Sequence, residues 1–181
     1  MRMFTGHACR IGRRGSAQAG ALAALVVLGC VAPSVQPPAT RASLERLATA
    51  ATTDIYRHPA RVALLLSGRA VLYFFRTDCR YCAADLAKAR ALAATPGSPA
   101  LVLVSREGAS RLRAALGPAH LARLVVLSDS DGALMDSALV TRFVPRVVAV
   151  AGFRVLLDRT GHGGPGLAGA VAIASSQGQG R

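Results

Sequence analysis

Two cysteines separated by two residues, Cys79 and Cys82, stand where a buried strand is expected to run into a helix. The strand is read from Val71-Leu72-Tyr73-Phe74-Phe75, a short apolar run rich in aromatics and closed by polar residues. The helix is read from Cys82, Leu86, Ala89 and Ala93, which recur every three or four residues, with Asp85, Lys88 and Arg90 on the wet face. Thr77 and Asp78 are suited to cap this helix, and Thr95-Pro96-Gly97 to end it. A cysteine at such a start meets amide N–H groups without partners and the positive end of the helix dipole, which together stabilise a thiolate. Disulfide exchange needs an accessible thiolate to attack and a second thiol close enough to resolve the mixed disulfide. Cys79, at the exposed end, fits the first role; Cys82, one turn on and pointing inward, fits the second. Arg76 and Arg80 would favour the Cys79 thiolate, whereas Asp78 would oppose it or compete for the same N–H groups. Tyr81, between the cysteines, either shapes contact with a substrate or is an ordinary, partly exposed aromatic.

Metal binding and an inert pair are the rival readings of these cysteines. Zinc normally takes four ligands, and the sequence has neither a second cysteine pair nor a His-x-x-x-His motif. A copper site would need Cys79 and Cys82 with a distant His120 or His162, although each histidine is also read as a surface residue near glycine or proline. So small a loop would do little for stability through chain entropy, which makes a structural staple a poor explanation of the pair. No metal and no cofactor is assigned.

The first 30 residues are a different kind of sequence. Arg2, Arg10, Arg13 and Arg14 occur there without an acid, and Ala19-Gly-Ala-Leu-Ala-Ala-Leu-Val-Val-Leu-Gly-Cys30 follows. A basic stretch before a short apolar run reads as an export signal and is short for a membrane span. Its end, Val27-Leu28-Gly29-Cys30, resembles a bacterial lipoprotein box, which would make Cys30 the mature N-terminus and the point of lipidation. Cleavage further on, or a retained anchor, are the alternatives. Cys9 leaves with the signal and Cys30 is lipidated or lost, so Cys79 and Cys82 have only each other in an oxidising compartment. The net charge falls from +13 to about +9 without the signal. Arginine outnumbers lysine 21 to 1, but the basic residues are scattered and carry no aromatic interleaving. That pattern argues against nucleic-acid binding.

Residues 31–42, rich in Pro, Ser, Ala and Gln, read as a tether, 43–175 as the folded domain and 176–181 as a disordered tail. A helix is expected over 42–55, an edge strand over Arg61–Leu66 and the central strand next. After the cysteine-bearing helix come a strand over 100–104, a short helix within 105–117 and a strand over 124–127. A turn at Asp129-Ser-Asp-Gly132, a helical piece to Leu139, a strand entered through Pro145, a hairpin through Ala151-Gly152 and a final helix over 167–174 complete the chain. Alternation closed by a hairpin argues for an α/β fold: a central mixed sheet with helices on both faces.

Phe74-Phe75-Arg-Thr-Asp-Cys79-Arg-Tyr-Cys82 after the central strand, with Val144-Pro145 some 63 residues on, resembles the thioredoxin-like superfamily over about residues 60 to 175. Within it, the exported, membrane-tethered thiol:disulfide oxidoreductases of TlpA type look most similar. The resemblance implies a thioredoxin-like fold, a cis bond at Val144-Pro145 beside the cysteine pair, and backbone exposed there for an extended substrate. It implies activity without a cofactor on cysteines of other exported proteins, an upstream redox partner, and a monomer on the periplasmic side of a bacterial membrane. The sequence departs from the family at Asp78, where tryptophan is usual. The same motif is also similar to thioredoxin-like proteins of conjugative transfer machinery, which leaves a non-catalytic assembly role open beside that of a copper carrier.

Overall fold

The run Val71–Phe75 is the centre of the molecule because its side chains alternate between two apolar layers. The structure, a computed structural model, describes residues 36–117, 123–162 and 165–177. In chain order they form α1 (Arg41–Thr49), α2 (Val62–Ser67), β1 (Arg69–Phe74), α3 (Arg80–Ala94), β2 (Ala100–Ser105), α4 (Ala109–Leu116), β3 (Leu124–Ser128), a π-helical turn (Ala133–Ala138), β4 (Arg146–Ala151), β5 (Arg154–Thr160) and α5 (Gly166–Ser176). The strands lie side by side as β3-β2-β1-β4-β5. β1, β2 and β3 are parallel, with Leu72 opposite Val102 and Val102 opposite Val125. β4 is antiparallel to β1, Leu72 facing Val148, and β5 is antiparallel to β4.

Odd-numbered positions Val71, Tyr73 and Phe75 pack with Leu103 of β2 and with Cys82, Ala89, Leu112, Leu167 and Ala170, the inward residues of α3, α4 and α5. Even-numbered Leu72 and Phe74 pack on the other face with Leu44, Leu47, Val62, Leu66 and Met135. Both faces are covered, so the inner strands read as unbroken apolar runs rather than alternating ones. Each large apolar side chain removed from water on either face contributes about 1.5–3 kcal/mol.

Several element boundaries differ from expectation. Arg61–Leu66 is not an edge strand: Val62–Ser67 is helical, burying Val62 and Leu66 while Leu64 stays 63% exposed. Five consecutive apolar residues, Val62 to Leu66, are too few for a strand period to be separated from a helical one. α1 stops at Thr49 rather than Ile55, because the Asp54 carboxylate takes the N–H groups of Tyr56 and His58 and folds a turn there. At its other end Thr40 and Ser43 cap α1 reciprocally. The β4–β5 turn is Gly152-Phe153, both at positive φ, as a two-residue hairpin of matching twist requires. Ser176 ends α5 and Gln177 accepts a hydrogen bond from Arg154, so the ordered chain reaches past the boundary expected at 175; residues 178–181 lie outside the described residues.

The tether expected over 31–42 is held to the domain along its described part. Gln36 accepts from the backbone of Arg142 and Phe143, and Ala39 N donates to Asp158. Beneath it Arg146, wholly buried, pairs with both Asp158 oxygens and donates to the carbonyls of Leu139 and Pro37. A buried guanidinium is tolerable only when its donors are met in this way. Among the described residues no helix is long and apolar enough to cross a membrane.

Candidate active site

The cysteine pair lies where β1 hands over to α3. Cys79 is the N-cap of α3 and is half-buried; Cys82 is wholly buried in the first turn. The two are joined as a disulfide, with 5.2 Å between their Cα atoms. The Cys82 amide donates to Cys79 Sγ at 3.2 Å, so the sulfur caps the helix. An N–H aimed at sulfur, together with the helix dipole, favours negative charge on Cys79 when the pair is open.

Thr77 and Asp78 therefore do not cap α3. Thr77 gives its N–H and hydroxyl to Glu107, at 2.7 and 2.6 Å, and the largely buried Glu107 also pairs with Arg111. Asp78 turns outward and is held by Arg76 through two bonds, of 2.9 and 2.6 Å. Those bonds from Arg76 keep the Asp78 carboxyl below the usual carboxylate range. The carboxylate expected to compete for the helix N–H groups is instead partnered by the arginine expected to serve the thiolate. Arg80 is likewise engaged elsewhere, donating to the Tyr81 hydroxyl and lying 4.6 Å from its ring centroid.

Tyr81 is 42% exposed and stacks on His162, with ring centroids 4.1 Å apart. This brings the segment after β5 beside the cysteine pair. Gly161, next to His162, donates its N–H to the Pro145 carbonyl at 2.7 Å. The Val144-Pro145 bond is cis. Register places Arg146 opposite Phe74, so Pro145 and Phe75 lie at the end of the sheet from which the chain runs on to Cys79. Cys79, Cys82, Tyr81, Val144 and Pro145 thus belong to one end of the sheet. A groove of about 650 Å³ opens there, lined by Phe75, Arg76, Arg111, Met135, Phe143 and Val144 among others. Phe143 is half exposed at its rim.

Three features of the site carry no signal in the sequence. Asp85, assigned to the wet face, is partly buried and accepts from the Tyr73 hydroxyl and the Leu167 amide, tying α3 to β1 and α5. Burial and the neighbouring Asp85 push the Tyr73 hydroxyl well above its ordinary range, so it remains a donor. His162, expected at the surface or as a distant copper ligand, stacks on a partner 81 residues away in sequence. Glu107 follows a strand with no motif around it. None of these contacts has a short-range signal, because each joins separate elements. Cys30 and His120 lie outside the described residues. Among the described residues no three His, Cys, Asp or Glu side chains gather as metal ligands.

No protein-family model matches the sequence, and no curated protein matches it. Solved structures do. A secreted disulfide oxidoreductase of Mycobacterium tuberculosis, described as homologous to Escherichia coli DsbE, aligns with a TM-score of 0.57 at 22% identity, over 71% of this chain and 97% of that one. DsbF of the same organism aligns at 0.58 with 16% identity, over 72% and 96%. An exposed lipoprotein thioredoxin of Streptococcus pneumoniae aligns at 0.51 with 16% identity, over 62% and 88%. With its five-stranded mixed sheet, its flanking helices and its Cys79–Cys82 disulfide at the start of α3, the chain has a thioredoxin-like fold.

Proposed function

We propose that the protein is a thiol:disulfide oxidoreductase that exchanges disulfides with cysteines of other exported proteins. The observation that carries this reading is the asymmetric pair: Cys79 half-exposed with an amide aimed at its sulfur, Cys82 wholly buried one turn behind. In the reducing direction, the Cys79 thiolate attacks one sulfur of a partner's disulfide. A mixed disulfide forms and the partner's other sulfur leaves as a thiolate. Cys82 loses its proton and attacks Cys79 Sγ. The partner's second thiolate is released and the Cys79–Cys82 disulfide forms, so two electrons have passed to the partner. An upstream thiol donor reopens the pair by the same steps. Oxidation of a partner is the exact reverse, and no cofactor enters in either direction. The groove beside Val144 gives an extended peptide a place to lie, and Tyr81, stacked on His162, offers an exposed ring beside the cysteines.

The export signal, and the secreted and lipoprotein proteins that share the fold, support a location outside the cytoplasm. In this reading Cys30 carries lipid and the monomeric domain works at the periplasmic face of a bacterial membrane. The test is turnover of a disulfide-bonded peptide by the full chain against a thiol pool. The wild type is expected to accelerate exchange and Cys79→Ser to be inactive. If a Cys79→Ser, Cys82→Ser double variant keeps full function in cells, the assembly role is correct and catalysis is not.

A further inference from the structure

The segment before α1, expected to be a tether, meets at Gln36 the same loop that carries Val144 and Pro145. Gln36 Oε1 accepts from two consecutive backbone amides, Arg142 N and Phe143 N, each at 3.0 Å. Gln36 Nε2 donates to Thr160 Oγ1 at 2.6 Å. Thr160 faces Arg146 across β4 and β5, and Gly161, the next residue, bonds to the Pro145 carbonyl. One side-chain amide therefore bridges the chain entering Val144-Pro145 and the strand end opposite it. The loop lies outside helix and strand, so the Arg142 and Phe143 amides have no ladder partner, and Gln36 supplies the acceptor for both. The backbone that follows Gln36 is fixed too, since Arg146 holds the Pro37 carbonyl and Asp158 holds the Ala39 amide.

We propose that Gln36 is a positioning residue for exchange: it fixes the Arg142–Pro145 loop so that Val144 meets a bound peptide in a single arrangement. The N-terminal segment is then a component of the active site rather than a leash. This rests on the exchange reading, and only the presentation of substrate is assigned to Gln36, since it touches neither sulfur. Glutamate at 36 retains an oxygen acceptor for both amides and can take a hydrogen bond from the Thr160 hydroxyl, whereas alanine keeps neither contact.

The experiment compares wild type, Gln36→Ala and Gln36→Glu as full chains. It measures peptide KM and kcat, the glutathione ratio at which Cys79–Cys82 is half oxidised, and amide hydrogen exchange at Arg142 and Phe143. Gln36→Ala is expected to raise KM roughly 3- to 10-fold with kcat within about twofold. Its glutathione ratio should be unchanged and exchange at the two amides faster, while Gln36→Glu recovers most of both effects. An unchanged KM in Gln36→Ala would overturn the proposal. So would a fall in kcat accompanied by a shifted glutathione ratio, because Gln36 would then act on the cysteines or on the whole fold. A wild type without turnover, but with the two amides still protected through Gln36, sinks the exchange reading itself and takes the positioning role with it.

Discussion

At Cys79 three charged neighbours were expected to set the thiolate, and the side-chain geometry redistributes them. Asp78 and Arg76 neutralise one another, Arg80 lies on Tyr81, and the sulfur takes its hydrogen bond from the Cys82 amide. That the cysteines would act together was legible, since two cysteines at this spacing after an aromatic strand admit few other uses. The pairing of Asp78 with Arg76 was not, because a cap and an ion pair are both open to an aspartate at that position. The arrangement has a consequence. Asp78→Asn removes an anion next to Cys79 and releases the Arg76 guanidinium. Both changes favour the thiolate, so Cys79 should ionise at lower pH and the equilibrium with glutathione should move toward the reduced pair. Exposure and salt limit the shift to about two- to fivefold in the equilibrium constant. Redox titration by thiol alkylation measures it. A shift toward the disulfide would show that Asp78 supports the thiolate rather than opposing it.

At the scale of elements, legibility followed burial on two faces. β1 and β2 were read correctly because a strand covered above and below must be apolar throughout, and α3 because its inward positions recur helically. α2 was missed, as its six residues do not complete two helical turns. The end of α1 was missed because Asp54 acts through its carboxylate rather than through any apolar pattern. Asp54 Oδ1 accepts from Tyr56 N at 2.8 Å and His58 N at 2.9 Å, and its other oxygen lies 3.2 Å from the His58 ring. Burial alone would raise its pKa, but the bonds from His58 and Tyr56 prevail and lower it. A lowered folded-state pKa means stabilisation that is present above the unfolded value, about 3.9, and lost as pH falls through the folded value. Asp54→Asn retains an acceptor and removes the charge, so it should cost about 0.5–1 kcal/mol at neutral pH. That difference should vanish below the folded pKa. Denaturant unfolding of both proteins through the carboxylate range, from about pH 5 to about pH 2, reads it, and a difference that persists undiminished to the acid end would contradict the assignment.

For the whole molecule, the fold class was legible from alternation of elements and the closing hairpin, and the sheet order β3-β2-β1-β4-β5 agrees with it. Less legible was how the N-terminal segment joins the rest. Gln36 lies in a stretch whose composition reads as tether, and its partners are more than 100 residues away in sequence. The same holds for Arg146, which draws Pro37, Leu139 and Asp158 together from three parts of the chain. Composition reports how a segment behaves alone; it does not report a dock formed by distant backbone. The site therefore joins residues the sequence advertised, Cys79, Cys82 and Pro145, to supports it did not, Gln36, Glu107, Asp85 and His162. The account stands on unequal roles for two sulfurs a few residues apart. Trapping from cells by non-reducing electrophoresis and mass spectrometry tests those roles most directly. Cys82→Ser should accumulate mixed disulfides with exported proteins through Cys79, while Cys79→Ser should accumulate none; equal trapping by both variants, or by neither, would contradict it.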